Sequence, residues 1–163
     1  MAMEQPPFLV APVRTPADLD AVGELFDAYA ASLDVDLAYQ NYGAERAGLP
    51  GKYAPPEGEL LLARSRDGAA IGCVALRAVG DGACEMKRLY VAPGARGLGL
   101  GRRLAEAVVQ AAGARGYREI RLDTLPSMAS AIGLYEAMGF TRVAPYYAGA
   151  VDGTIFLARP LAG

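Results

Sequence analysis

The stretch that most constrains the fold runs from Cys84 to Arg103, where a strand, a turn and a glycine-rich helix start follow one another. Cys84 to Val91 combines β-branched, aromatic and aliphatic residues, which favours a buried strand, and Ala92-Pro93-Gly94 ends it. After Leu100 the apolar residues recur with a helical period, so the loop Arg96 to Gly101 is predicted to form the N-terminus of that helix. The periodic residues are Leu104, Ala107, Val108 and Ala111.

This loop has the features of an anion site. Its glycines let a ligand approach the backbone closely, and bare amides at the positive end of a helix dipole attract phosphate. The neighbourhood is also basic, with five cations and no carboxylate between Lys87 and Arg103, in a chain of formal net charge -2. A solvated helix start with solubilising arginines is the alternative interpretation. The five cations are Lys87, Arg88, Arg96, Arg102 and Arg103.

Two well-known phosphate loops do not fit. A dinucleotide fingerprint starting at Gly97 needs a third glycine at the position of Arg102, and a Walker loop needs a Gly-Lys-Ser/Thr tripeptide that the chain lacks. What remains is Arg96-x-x-Gly99-x-Gly101. This pattern resembles the acetyl-CoA loop Q/R-x-x-G-x-G/A of the GNAT superfamily of N-acetyltransferases, which follows a strand ending like Leu89-Tyr90-Val91.

A second stretch strengthens the resemblance. Ala131 to Phe140 is similar to the GNAT signature A-x-x-L-Y-x-x-x-G-F, in the expected order and separation. One position departs from the family, where an Asn seven residues before the Tyr often touches the pantetheine arm. Here that position is Met128, so the contact, if made, would come from elsewhere, for example from Ser127 or Ser130, although both serines also suit helix capping.

The resemblance implies a site for acetyl-CoA as the acyl donor. In this family pantetheine lies between two splayed parallel strands, bound by the backbone of the first, and the glycine loop cradles the pyrophosphate. The implied binding residues are Leu89, Tyr90, Val91, Arg96, Gly97, Leu98, Gly99, Leu100, Gly101 and Arg102.

The order of elements predicts an α/β (α+β) fold. Three antiparallel strands precede the loop, and the strand from Glu119 follows its helix, so this strand lies parallel to the Cys84 strand. We expect a mixed, mostly antiparallel sheet of six to seven strands, with a central parallel pair and helices on both faces. The GNAT resemblance implies that this parallel pair is splayed. Pro126-Ser127 is predicted to open the next helix. Leu33 to Gly58 is either an irregular connection or a substrate-binding lid.

The attacking amine must lose a proton, and Glu85 is the best candidate base. It is the only carboxylate of the Cys84 strand, and it lies eleven residues before Arg96, where family members with a strand glutamate base carry it. The alternative is an ion pair with Lys87, Arg88 or Arg121. Asp123 is the reserve, and a water chain could replace either.

Three tyrosines complete the candidate site. By resemblance, Tyr135 lies beside the departing sulfur and supplies a proton or hydrogen bond, the alternative being a core tyrosine. Tyr146 and Tyr147 either line the acceptor pocket or form an aromatic pair at a sheet edge.

Composition limits the remaining possibilities. With 163 residues, 53% hydrophobic, one domain over 1–163 is expected, burying roughly 70% of its unfolded surface. No apolar run approaches a membrane span and no signal peptide is recognisable, which favours the cytoplasm without a membrane partner. The chain has no His, so no metal is expected, and an acidic pI of about 5.2 argues against nucleic acid. Cys73 and Cys84 are interpreted as buried thiols, and the last strands would allow a homodimer by edge pairing.

The leading hypothesis is therefore an acetyl-CoA-dependent N-acetyltransferase, in which a primary amine of a small molecule or peptide attacks the thioester directly. A non-catalytic module that senses acyl-CoA is the alternative from another class, since a sensor needs neither base nor acid. A longer acyl-CoA donor is the third hypothesis.

Overall fold

The computed structural model describes residues 7–33 and 41–161. Within them the chain forms seven strands, four α-helices and two single-turn 3₁₀ helices, Gly51–Tyr53 and Pro93–Ala95. In chain order the strands and α-helices are β1 (Phe8–Pro12), α1 (Pro16–Ser32), α2 (Tyr42–Ala47), β2 (Glu59–Ser65), β3 (Ala70–Gly80), β4 (Ala83–Val91), α3 (Leu100–Ala114), β5 (Glu119–Thr124), α4 (Ala129–Ala137), β6 (Thr141–Val143) and β7 (Ile155–Pro160).

The seven strands form one sheet in the order β1-β2-β3-β4-β5-β7-β6. Every neighbouring pair is antiparallel except β4 and β5, which are parallel and are joined by the crossover through α3. The predicted mixed sheet, with its one central parallel pair, is thereby confirmed.

Hydrophobic residues cover both faces of this sheet. On β2 the residues alternate, so that Leu61 and Ala63 belong to the cluster that packs under α3, and Leu60 and Leu62 to the cluster under α1. This period of two is what a strand buried on both faces requires. Helices therefore lie on both faces, as the sequence predicts.

Helix ends follow the local sequence in one case and depart from the prediction in another. Thr15 caps α1, its side-chain oxygen accepting from the amide of Asp18 at 3.1 Å. The prediction that α4 opens at Pro126-Ser127 is wrong. Those two residues form the centre of a turn, closed by a 3.0 Å bond from the Met128 amide to the Leu125 carbonyl, and proline favours its second position.

The uncertain stretch Leu33 to Gly58 is partly outside the described residues, since 34–40 are not described. Its described part contains α2 and a 3₁₀ turn rather than a wholly irregular chain. No helix in the described ranges is long and apolar enough to cross a membrane. Cys73 and Cys84 are buried free thiols, and burial raises the pKa of each to about 12.

Candidate active site

The parallel strands β4 and β5 pair over only three residues and then separate. The last pair in the ladder joins Glu85 to Arg121. Beyond it, β4 continues beside β3 and β5 continues beside β7. The backbone groups that face the gap from the second half of β4 therefore have no partner in β5.

A bulge in β4 accompanies this separation. Between Lys87 and Tyr90, which pair with Ala75 and Cys73 of β3, β4 contains one residue more than β3. Arg88 adopts a left-handed conformation there, with a φ of 60°, which is uncommon for a residue other than glycine. Its buried guanidinium makes two 3.0 Å bonds to Glu45 of α2, and these hold the helix against the bulge.

Three cavities meet around the gap. The gap cavity, lined by residues 86–89 of β4 and 122–125, has a volume of about 40 Å³. On one side lies the glycine-loop groove of about 430 Å³, lined by Leu89–Val91, Arg96, Gly101 and residues 127–131. On the other lies the tyrosine pocket of about 440 Å³, lined by Glu85, Tyr146 and Tyr147 among others. Met128 lines both the gap cavity and the groove, and Lys87 lines both the gap cavity and the pocket, so the three adjoin.

The glycine loop fits a phosphate ligand. Within the described chain, the amides of residues 97 to 102 donate to no backbone carbonyl, and the first helical bond runs from Arg103 to Gly99 at 3.1 Å. Gly97 and Gly99 have φ values of 85° and 76°, and a Cβ at either position would meet no atom within 4 Å. The loop is thus an open row of free donors at a helix N-terminus.

The predicted binding residues divide into three groups. Leu89, Tyr90, Val91, Arg96 and Gly101 line the glycine-loop groove together. Gly97, Leu98 and Gly99 form the exposed loop between Arg96 and α3. The other two have side chains engaged elsewhere, since Leu100 is buried in the core and Arg102 pairs with Glu106 at 2.8 Å.

Tyr135 reaches the gap cavity from α4. Its side chain is 6% exposed and packs against Phe140, with ring centroids 5.8 Å apart. Burial raises the pKa of its hydroxyl, which remains a protonated donor at neutral pH. The structure brings Tyr135 to the gap, although the residue also belongs to the hydrophobic core.

Glu85 lies at the point where the strands separate and is 1% exposed. Its Oε1 accepts from Nε of Arg77 at 2.9 Å and forms an ion pair with Nη2 at 2.8 Å, and its Oε2 accepts from the Tyr146 hydroxyl at 2.6 Å. The ion-pair partner that the structure shows is Arg77, which was not among the predicted candidates Lys87, Arg88 and Arg121 and which lies directly opposite Glu85 in the β3–β4 ladder.

The two tyrosines after β6 are not a bare edge pair. Tyr146 and Tyr147 pack edge-to-face with each other and with Phe156 of β7, with centroids 5.1 to 5.6 Å apart. The hydroxyl of Tyr147 donates to Asp123 of β5 as that of Tyr146 does to Glu85. Each of the two separating strands therefore carries a carboxylate that accepts a hydrogen bond from a tyrosine hydroxyl.

The sequence matches the Acetyltransferase (GNAT) family over residues 24–140. The chain belongs to the GNAT family. It is 40% identical over 149 residues to an uncharacterised N-acetyltransferase of Schizosaccharomyces pombe, with 91% of each chain covered.

Solved GNAT structures share the fold. A GNAT acetyltransferase from Staphylococcus aureus superposes with a TM-score of 0.79 at 18% identity, covering 95% of this chain and 99% of the other. The protein yncA of Salmonella typhimurium, solved with its cofactor acetyl-CoA, superposes with a TM-score of 0.69 at 21% identity, covering 96% and 95%.

One departure from the GNAT signature has a structural counterpart. Met128 is the N-cap of α4 and makes no side-chain cap bond. Ser127 and Ser130 both line the glycine-loop groove, and neither caps the helix. These serines are therefore in position to supply polar contacts there.

Sequence reasoning missed Arg77 and Glu45 of this GNAT site, and it named Lys87 only as a nearby cation and as an alternative partner of Glu85. Arg77 holds Glu85, Glu45 lines the tyrosine pocket, and Lys87 lines both the pocket and the gap. Burial lowers the pKa of Lys87, with Glu85 and Asp123 acting in the opposite direction. A charged residue inside an otherwise apolar strand, as at Arg77 and Lys87, is the signal that could have found two of them.

Proposed function

We propose that this GNAT chain transfers an acetyl group from acetyl-CoA to the primary amine of a small molecule or peptide, by direct attack of the amine. The observation that carries the proposal is the gap between β4 and β5, which adjoins the glycine-loop groove on one side and the tyrosine pocket on the other.

Acetyl-CoA supplies an activated thioester, and the groove has the donors to bind it. The free amides of residues 97 to 102 and Arg96 would hold the pyrophosphate. The backbone of Leu89 to Val91 faces the gap without a β5 partner and would bind the pantetheine amides. Ser127 and Ser130 are candidates for the contact that Met128 cannot make.

The acceptor amine must be neutral to attack. A lysine-like amine of pKa about 10.4 is neutral in about one molecule in a thousand near pH 7.4, which costs about 4 kcal/mol without a base. Glu85 is the proposed base and Asp123 its reserve. Because the Tyr146 hydroxyl already donates to Oε2 of Glu85, the amine's proton would pass to the Tyr146 oxygen while the Tyr146 proton moves to Oε2.

Departure of the thiolate requires a donor at the gap. Tyr135 lines the gap cavity and its hydroxyl has no hydrogen-bond partner within the described residues. Its raised pKa keeps it protonated until the sulfur takes the proton. Tyr146 and Tyr147 would line the acceptor side.

We further propose that the enzyme works in the cytoplasm as a single domain, without a nucleic-acid or membrane partner. The two buried free thiols suit a reducing compartment. The outer strands β1 and β6 carry the exposed Leu9 and Val143, which would support edge pairing into a homodimer.

The test measures acetyl-CoA binding by calorimetry and CoA release with a panel of amines. Gly99→Glu places a negative charge in the phosphate site, and Gly99→Ala is its matched control, because it carries the same left-handed strain without charge. We expect micromolar binding by the wild type and by Gly99→Ala, and none by a folded Gly99→Glu.

The CoA-release assay distinguishes a transferase from an acyl-CoA sensor. CoA release that depends on an amine supports the transferase. Binding without turnover of any amine would favour an acyl-CoA sensor, and equal binding by both glycine variants would refute the phosphate site. A stronger response to a longer acyl-CoA would change the donor but keep the site.

A further inference from the structure

A second cavity lies beside the tyrosine pocket, beneath α2. This α2 cavity has a volume of about 310 Å³ and is lined by residues of the segment 41–53 together with Arg77. Three of its lining residues, Asn41, Glu45 and Arg77, also line the tyrosine pocket. The two cavities are therefore neighbours, and an acceptor bound in the pocket would have room to extend beneath α2.

Tyr53 gives this cavity an unused hydrogen-bond donor. The residue is 2% exposed, and among the fully enclosed side-chain oxygens and nitrogens of the described residues its hydroxyl is the one without a hydrogen-bond partner. Its ring is fixed edge-to-face against Phe26, with centroids 6.1 Å apart. A phenylalanine would fill the same space without burying an unsatisfied hydroxyl, so the hydroxyl points to a ligand with an oxygen acceptor.

The charged side chains around the cavity include unused donors but no unoccupied acceptor. Both oxygens of Glu45 are bonded to Arg88, at 3.0 Å each. Arg77 donates Nε to Glu85 and has Nη2 in an ion pair with the same oxygen, which leaves Nη1 available. Lys52 makes no ion pair with any described residue. Three residues with hydrogen-bond donors, Tyr53, Arg77 and Lys52, therefore line one cavity in which the carboxylate of Glu45 is already occupied.

We propose that the α2 cavity binds a carboxylate of the acceptor, so that the substrate class is an amino acid or a short peptide with a free carboxylate. The proposal rests on the acetyl-transfer function above. Arg77 indicates the distance between the bound carboxylate and Glu85, because the residue that pairs with Glu85 also lines the α2 cavity. The carboxylate would lie about one guanidinium width from the base, a separation that suits an amino acid better than a long polyamine.

The experiment compares amino acids and dipeptides, each with its own carboxamide, as acceptors in a CoA-release assay. The two members of a pair share the amine and differ only in the carboxylate, and an amide lowers the pKa of the neighbouring amine. Chemistry alone therefore favours the carboxamide. We expect the carboxylate form to have a kcat/KM at least about 10-fold higher, mostly through KM.

Three variants locate the preference. Tyr53→Phe and Lys52→Gln should each reduce the ratio of carboxylate to carboxamide severalfold. Tyr117→Phe is the matched control, since its hydroxyl bonds the Glu57 carbonyl at 2.6 Å and lies outside the cavity, and it should leave the ratio unchanged. Unaltered acetyl-CoA affinity in each variant reports an intact fold.

Each other outcome counts against the proposal. Equal use of carboxamides, or a full preference retained in Tyr53→Phe and Lys52→Gln, would overturn the carboxylate subsite while acetyl transfer itself stands. Turnover of simple amines but of no amino acid or dipeptide would do the same. If no amine of any kind releases CoA, the proposed function fails and this inference fails with it.

Discussion

Tyr146 and Glu85 form a hydrogen bond of 2.6 Å that joins the loop after β6 to the point where β4 leaves β5. Arg77 occupies the other oxygen of the same carboxylate. Through the Tyr146 hydrogen bond, a proton that reaches the tyrosine oxygen can be relayed to the carboxylate. In the proposed reaction the proton therefore passes through Tyr146.

Removal of either member of this pair should slow acetyl transfer by a similar factor. Tyr146→Phe and Glu85→Gln are each expected to lower kcat by about 100-fold or more with little change in acetyl-CoA affinity, because both interrupt one proton path. The double variant should be no slower than the slower single one, since residues that act as a unit are not additive. Steady-state kinetics with one amine acceptor measures all three.

Tyr147→Phe is the control for the comparison of the Tyr146 and Glu85 variants. Its hydroxyl bonds Asp123 instead of Glu85, so a much smaller loss is expected. A large loss in Tyr147→Phe, with Glu85→Gln fully active, would transfer the role of base to Asp123. Full activity in Tyr146→Phe but not in Glu85→Gln would mean that Glu85 acts without the tyrosine.

Tyr135→Phe tests the proposal that Tyr135 donates a proton to the thiolate. We expect kcat to fall by about 100-fold while the calorimetric affinity for acetyl-CoA is retained, because the ring still fills its place against Phe140. A pure packing role would leave kcat unchanged, and a contact made in the ground state would weaken acetyl-CoA binding instead. Tyr117→Phe again serves as the comparison for loss of a remote tyrosine hydroxyl.

Much of this arrangement could be predicted from sequence because it follows from local pattern. The period of two in the strands, the glycines before α3 and the crossover rule fix the central parallel pair and the loop at its end. The partner of Glu85 could not be predicted. It depends on the register of β3 against β4, which sets Arg77 opposite Glu85, and a one-residue slip would have chosen another side chain.

The bulge at Arg88 could not be predicted from the sequence either. A left-handed residue in a strand is usually signalled by glycine, and here the conformation belongs to an arginine that long-range contacts hold in place. The α2 cavity depends on the fold of a proline- and glycine-rich stretch that no periodic pattern describes.

Arg88→Ala should weaken acceptor binding more than donor binding. The substitution removes both bonds to Glu45 and the cation above the Tyr42 ring, at 5.4 Å, which together hold α2 over the acceptor side. We expect the KM for the amine to rise about 10-fold or more, with acetyl-CoA affinity changed by less. Arg88→Lys is the stricter comparison, because lysine keeps the charge but cannot form the two parallel bonds. Equal rises in both substrates' KM values would show that the bulge, not α2, is what Arg88 supports.

Glu59 is expected to link stability to acid pH. Its buried carboxylate accepts two bonds from Arg14 and one from Arg115, all at 2.8 Å, and one from the Leu60 amide at 3.0 Å. Burial pushes the pKa of Glu59 up, but these bonds outweigh it and hold the pKa below its ordinary value of 4.5. The stabilisation is therefore complete above about pH 4.5 and is lost as the pH falls through the lower, folded-state pKa.

Glu59→Gln should lower the free energy of unfolding at pH 7 by about 2 to 3 kcal/mol, since it leaves two arginines against a neutral amide while water can still reach the half-exposed Arg14. Urea unfolding at pH 7 and at several values from 5 down to 3 measures both effects. The difference in the free energy of unfolding between wild type and variant should shrink as the pH falls, because only the wild type loses this interaction. Other carboxylates titrate equally in both proteins. The exposed Glu24→Gln is the control and should change stability by less than about 0.5 kcal/mol at every pH. A difference in the free energy of unfolding that stays constant down to pH 3 would mean that Glu59 contributes through packing rather than through its charge.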